Sequence, residues 1–232
     1  MTAPVYGQAF ALWRDQARDW QAYTHHTFVE GLRTGNLPRA NFLHYLRQDY
    51  LFLIHFARAW ALAAAKAETL AEIRAASSTV QALANVEMPL HVQTCAGEGS
   101  DAATLEATEE APANLAYTRY VLEAGYSGDF LDLMAALAPC VLGYGEIGAR
   151  LAGSRGPYET WIETYAGADY QGLCHDVGAL IDGALVHRLG PDWASLPRAA
   201  QLSHRFATAT RLEVGFWQMG IDGVCPERPP TR

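Results

Sequence analysis

The sequence predicts an all-α, single-domain bundle of many helices, on three observations. Apolar residues recur at helical intervals of three, four or seven along most of the chain. No stretch of useful length alternates apolar and polar residues as a strand would, and no internal repeat or shift in composition marks a domain boundary. Glycine and proline fall in short clusters between the periodic segments, and short connections favour antiparallel neighbours in one bundle. On this reading residues 1–222 form one helical domain, and residues 223–232, ending in PERPPTR, form a flexible tail.

The elements follow in order. Phe10, Trp13, Ala17, Trp20, Phe28 and Leu32 share one amphipathic period and predict a first helix, stopped by Gly35, Asn36 and Pro38. A second helix runs from Arg39 to about Lys66 without an internal glycine or proline. Its expected buried stripe is Leu43, Leu46, Tyr50, Leu53, Ile54 and Ala57. A third covers about Ala71 to Cys95, kinked at Pro89, and the small, acidic stretch 96–114 reads as a surface connection. Further helices are expected from Leu115 to Ala124 and from Asp129 to Ala152, separated at Gly125–Gly128. After SRGP at 154–157 come Tyr158 to Tyr165, Asp169 to Leu189 and Arg198 to Gly220.

Bulk composition narrows the function. The chain has 232 residues, half of them hydrophobic and 18% charged, which is enough for a substantial core. Its 17 basic and 25 acidic side chains give a net charge of −8 with no basic cluster, a poor match to a phosphate backbone, so no nucleic-acid partner is expected. No membrane partner is expected either, since no apolar run approaches the roughly 20 residues that cross a bilayer. The N-terminus lacks the pattern of a secretory signal. Cys95, Cys140, Cys174 and Cys225 have no regular spacing and read as reduced thiols of a cytoplasmic protein.

Motifs for nucleotide binding, zinc proteolysis and the α/β-hydrolase elbow are absent. Among the eight histidines, His91 is spaced i, i+4 from Glu87 on one helix face, but Pro89 sits between them and the Glu-x-x-His pairs of a bundle metal site are absent; no metal site is predicted. Asp49 admits two readings. Helix geometry favours a surface carboxylate paired with Arg47 or Arg58; the other is a buried acceptor for a ligand amino group. Glu213, three and four residues before Phe216 and Trp217, is either solvated or a carboxyl with a raised pKa able to move protons. Cys140, directly after Pro139 and on one face with Tyr144 and Ile147, is either core packing or a nucleophile. Tyr117, Tyr144 and Tyr165 could present hydroxyls around a pocket, or simply pack.

Five ordered stretches bear on these alternatives: FLHYLRQDYLFLIHFARAWALAAAKAE (42–68), AYTRYVLEAG (116–125), PCVLGYGEIG (139–148), YETWIETYAG (158–167) and RLEVGFW (211–217). Together they resemble the TenA family, the thiaminase II type of aminopyrimidine aminohydrolase, over essentially the whole chain. The resemblance implies a haem-oxygenase-like bundle with no haem, no metal and no other cofactor, commonly assembled as a homotetramer. It implies hydrolysis of 4-amino-5-aminomethyl-2-methylpyrimidine to the hydroxymethyl pyrimidine of thiamin salvage, and in many members cleavage of thiamin. Cys140 matches the family's nucleophile and Glu213 its acid/base. Asp49 matches the carboxylate on the pyrimidine amino group, and Tyr117, Tyr144 and Tyr165 match pocket tyrosines. Phe52 stands where other members can carry tyrosine, so one hydroxyl is missing. Cys140 sets the chain apart from the branch that replaces this cysteine. Two other readings remain: a metal-dependent oxidase or oxygenase of the same fold, and a pyrimidine-binding protein without turnover.

Overall fold

The computed structural model describes residues 3–97 and 101–223, with the side chains of residues 86, 87 and 90 outside the description. Among the described residues every regular element is helical, and their hydrophobic side chains form one core cluster. The expected tail lies outside the described residues beyond Gly223, as does Cys225.

The first expected helix is three: α1 (Gln8–Gln16), α2 (Trp20–Thr24) and α3 (Thr27–Thr34). All six residues of its apolar period are buried, so the pattern reports the core correctly while the backbone breaks between them. The breaks are local. Ala17 leaves the helix in an extended conformation, and His26 caps α3 by accepting from the Phe28 backbone N–H at Nδ1, 3.2 Å away. Gly35 ends α3 at φ 74°, a left-handed conformation that glycine adopts without strain.

The second helix, α4 (Arg39–Lys66), keeps its expected bounds and forms the axis of the bundle, packing against six other helices. For that reason its buried face is wider than one stripe. Leu43, Ile54 and Ala57 are only partly buried, whereas Tyr45, Asp49, Phe52, Phe56 and Trp60 lie inside.

The third predicted helix is α5 (Leu70–Ala82), a π-helical turn (Leu83–Glu87) and α6 (Met88–Ala96) in unbroken succession. Pro89 follows the π turn by two residues, so its missing N–H and the bulk of its ring fall against the turn, where they disturb a regular ladder. The acidic connection is not wholly irregular. Asp101 caps a short helix, α7 (Ala102–Glu106), which buries Leu105 completely. Pro112 then opens α8 (Pro112–Ser127), three residues earlier than its apolar pattern begins.

The helix α9 (Phe130–Ala138) starts with a reciprocal cap between Asp129 and Asp132. It continues through a second π turn (Pro139–Gly143) into α10 (Tyr144–Leu151). This corrects the expectation that no apolar run is long enough to cross a membrane: Phe130–Leu151 spans 22 residues, and 94% of its apolar window is buried inside the protein. Its hydrophobicity is that of a core helix. Next come α11 (Glu159–Ala166), α12 (Ala168–Leu189) and α13 (Pro197–Asp222), which packs against α1, α2, α4, α8 and α9.

Candidate active site

The π turn 139–143 carries the candidate nucleophile. Pro139, Val141, Leu142 and Gly143 are buried, and only Cys140 in the turn keeps partial access. Side chains from elsewhere fix the turn's carbonyls. Tyr23 donates to the Pro139 oxygen at 3.0 Å, and Tyr170 (3.2 Å) and the Cys174 thiol (3.5 Å) donate to that of Val141. One turn on, a Cβ at Gly148 would stand 2.4 Å from the Tyr165 backbone, so only glycine lets α11 approach α10 this closely.

Cys140 faces a cavity of about 480 Å³ between α4, α5 and the α10–α12 region. Asp49, Tyr144, Tyr165 and Tyr170 share its wall. Along α4, Asp49, Leu53, Phe56 and Trp60 continue that wall on one helix face, and Leu173, Val177 and Leu180 of α12 form part of another. The site is therefore largely apolar with a few converging polar groups, the usual character of a small-molecule pocket.

Asp49 is not a surface carboxylate. It is 5% exposed and accepts from Tyr45 Oη at 3.3 Å and from His91 Nε2 at 2.7 Å, and Tyr45 Oη in turn lies 3.4 Å from Tyr144 Oη. Arg58, one of its expected partners, contacts His55 instead. The Tyr144 ring stands 5.0 Å from that of Tyr165 and 5.3 Å from that of Trp217.

Glu213, on α13, is also interior, at 1% exposed, and accepts from Tyr117 Oη at 2.8 Å. Burial pushes its carboxyl up to about 8; the Tyr117 hydrogen bond pulls the other way, and the charge of Asp49 adds to the rise. At neutral pH Glu213 is therefore mostly a neutral acid with a proton to give. Burial likewise raises Tyr117, Tyr144, Tyr45 and Tyr23 well above the usual phenol range, so each keeps its hydroxyl proton.

Glu213, Tyr117 and Phe52 do not line the cavity itself. Phe52 stacks on the cavity residue Phe56 (5.4 Å) and meets the Tyr117 ring at a tilt (4.9 Å), which puts it behind the wall. Glu213 nevertheless feels Asp49, and Tyr117 and Tyr23 each feel both Glu213 and Cys140, so these groups share one electrostatic neighbourhood. Sequence reasoning missed Tyr45, His91, Tyr23 and Tyr170. Tyr45, one helical turn before Asp49, carried a readable signal. Spacing offers His91 as a metal partner of Glu87 or as a solvated or capping histidine, and it meets Asp49 instead; the Glu87 side chain lies outside the described residues. Among the described residues no group of three histidine, cysteine or acidic side chains has a metal-holding arrangement.

A model of the TENA/THI-4/PQQC family matches residues 13–223. The chain belongs to this family. An aminopyrimidine aminohydrolase of Halalkalibacterium halodurans is 36% identical over 208 residues, 88% of this chain and 90% of that one. A crystal structure described as a TenA family transcription regulator from Silicibacter sp. TM1040 superposes with a TM-score of 0.91 at 59% identity, covering 93% of this chain and 97% of that one. A Shewanella denitrificans domain with a haem oxygenase-like fold superposes at a TM-score of 0.70 over 93% of each chain; at 11% identity this likeness is one of fold. The helical architecture is thus haem-oxygenase-like, as the sequence resemblance implies.

Proposed function

We propose that the protein is an aminopyrimidine aminohydrolase of thiamin salvage. It converts 4-amino-5-aminomethyl-2-methylpyrimidine and water to the 5-hydroxymethyl pyrimidine and ammonia, with thiamin as a second substrate cleaved at the same methylene. The observation that carries this reading is the meeting of Cys140 and a buried Asp49 on one cavity wall, with Glu213 held as a neutral acid nearby. The named relative from Halalkalibacterium halodurans supports it.

The chemistry follows from the groups. Water does not displace an exocyclic amine from an aromatic pyrimidylmethyl carbon directly. The Cys140 thiolate adds to the ring carbon beside the substituted position and breaks aromaticity, while the proton of Glu213 goes to the ring and favours addition. The aminomethyl nitrogen enters as the ammonium, so ring electrons expel it as neutral ammonia. Water attacks the electrophilic methylene that remains and gives up one proton, and expulsion of the thiolate, with return of the ring proton to Glu213, restores the ring. Asp49 holds the exocyclic 4-amino group so that the reacting carbon meets the sulfur. Tyr144 and Tyr165 wall the ring in, and Tyr117 tunes Glu213. Phe52 contributes packing where a hydroxyl is missing, so it changes substrate positioning and leaves the reaction class intact.

A homotetramer in the cytoplasm is part of the same proposal, on the family resemblance; sedimentation reads the first directly. The test of function is a product assay with the aminomethyl pyrimidine and thiamin side by side. Hydroxymethyl pyrimidine is expected from the first. Tight pyrimidine binding with no product from either would replace this reading with a non-catalytic binding protein.

A further inference from the structure

Asp49 accepts two hydrogen bonds, and both fall on one oxygen. Tyr45 Oη and His91 Nε2 meet Oδ2, whereas Oδ1 accepts none among the described residues. A carboxylate oxygen only accepts, so the imidazole donates from Nε2, which fixes the protonation of that nitrogen. The side chains of His91 and Asp49 are 9% and 7% exposed, a setting in which a charge-assisted hydrogen bond is strong and directional. Two donors on Oδ2 oppose rotation of the carboxylate, occupy the lone pairs of that oxygen and leave Oδ1 for a ligand.

His91 reaches this point from α6, a part of the chain distant in sequence from Asp49. Its helix follows the π turn whose first residue, Leu83, lines the same cavity as Asp49. No partner on α4 supplies the same restraint: Tyr45, one turn away, makes the longer of the two contacts.

We propose that His91 is a positioning residue of the pyrimidine site. It locks the Asp49 carboxylate so that Oδ1 receives the exocyclic amine of an aminopyrimidine. This rests on the function proposed above, and it gives His91 a role that acts only through Asp49.

The test is a cycle of variants read by calorimetry with 4-amino-5-hydroxymethyl-2-methylpyrimidine and by steady-state kinetics with the aminomethyl substrate. His91→Leu is expected to weaken binding about tenfold or more and to raise KM in step, while kcat falls less than about threefold. His91→Gln, whose amide can donate near the position of Nε2, is expected to bind within about threefold of wild type. In the Asp49→Asn background, His91→Leu is expected to cost nothing further, because the two residues act as one unit. Should His91→Leu not fold, His91→Gln against His91→Asn, whose amide falls one methylene short, carries the same comparison. Unchanged binding in His91→Leu, or an equal loss with and without Asp49, overturns the inference. A wild-type protein that binds no pyrimidine would sink the hydrolase reading and this one with it, a result distinct from binding that ignores His91.

Discussion

Tyr117 on α8 donates a 2.8 Å hydrogen bond to Glu213 on α13, in an interior where neither side chain meets bulk water. The contact opposes the burial that raises the Glu213 pKa, because a donor stabilises the ionised carboxylate. Removing the hydroxyl therefore raises that pKa further. In Tyr117→Phe, the alkaline limb of kcat/KM, set near pH 8 by loss of the Glu213 proton, is expected to move upward by roughly half a unit or more, the scale of one hydrogen bond. A pH–rate profile with saturating and limiting substrate checks it. A limb that stays or moves down contradicts the assignment of Glu213 as the acid.

The same carboxyl links stability to pH. Unfolded, Glu213 ionises near 4.5; folded, it keeps its proton to about 8. Between those values the folded state binds the extra proton, so its contribution is full below about pH 4.5 and is lost as pH rises through 8. Glu213→Gln mimics the neutral form at every pH. Relative to wild type it is expected to gain stability from pH 5 to pH 9, by about 2 kcal/mol or more at the upper end, while losing turnover. Urea melts across that range measure the difference, and a gap that does not widen with pH would count against the raised pKa.

Close approach of α10 and α11 positions Tyr165. Gly148→Ala would drive a methyl group against the Tyr165 backbone, which cannot move aside as a flexible side-chain tip can. The expected cost is about 1–3 kcal/mol, with a higher KM as Tyr165 leaves the cavity wall. Thermal unfolding and kinetics on one preparation test both, and an unchanged KM would show that Tyr165 does not contact the substrate.

The cavity wall formed by α5 is fastened by a buried ion pair. Arg188 of α12 donates to both Glu72 oxygens at 2.6 and 2.9 Å, with side chains 8% and 6% exposed. Hydrogen bonding from Arg188 leads the effects that hold the Glu72 carboxyl down at about 2. The pair's contribution is present above pH 4.5 and is lost as pH falls towards 2. Arg188→Met strands a buried carboxylate and is expected to cost about 3–5 kcal/mol at neutral pH. Adding Glu72→Gln is expected to recover part of the loss. Denaturant melts of both variants decide this, and a neutral Arg188→Met would show that the pair is solvated.

Much of the fold was readable from apolar period and punctuation. The bounds of α4 and the course of α9 to α13 follow from them because those helices present continuous apolar faces between glycine and proline. The first helix divides where the caps are unusual ones: Ala17 leaves in an extended conformation and a histidine caps α3. Within the site, spacing alone favoured surface roles for Asp49 and Glu213, and both lie inside. Each is held by a partner from elsewhere in the sequence, His91 for one and Tyr117 for the other, which no local pattern reports. The resemblance supplied what spacing could not, by setting these segments beside one another. It said nothing of His91, whose contact with Asp49 appears only in the fold.

The most direct test of the central claim is hydroxymethyl pyrimidine release by Cys140→Ser, assayed beside Cys174→Ser. The Cys174 thiol is buried and pushed up to about 12, so it stays protonated, and its loss leaves the nucleophile in place. The account predicts no detectable product from folded Cys140→Ser and substantial turnover by Cys174→Ser. Full turnover by Cys140→Ser would contradict it.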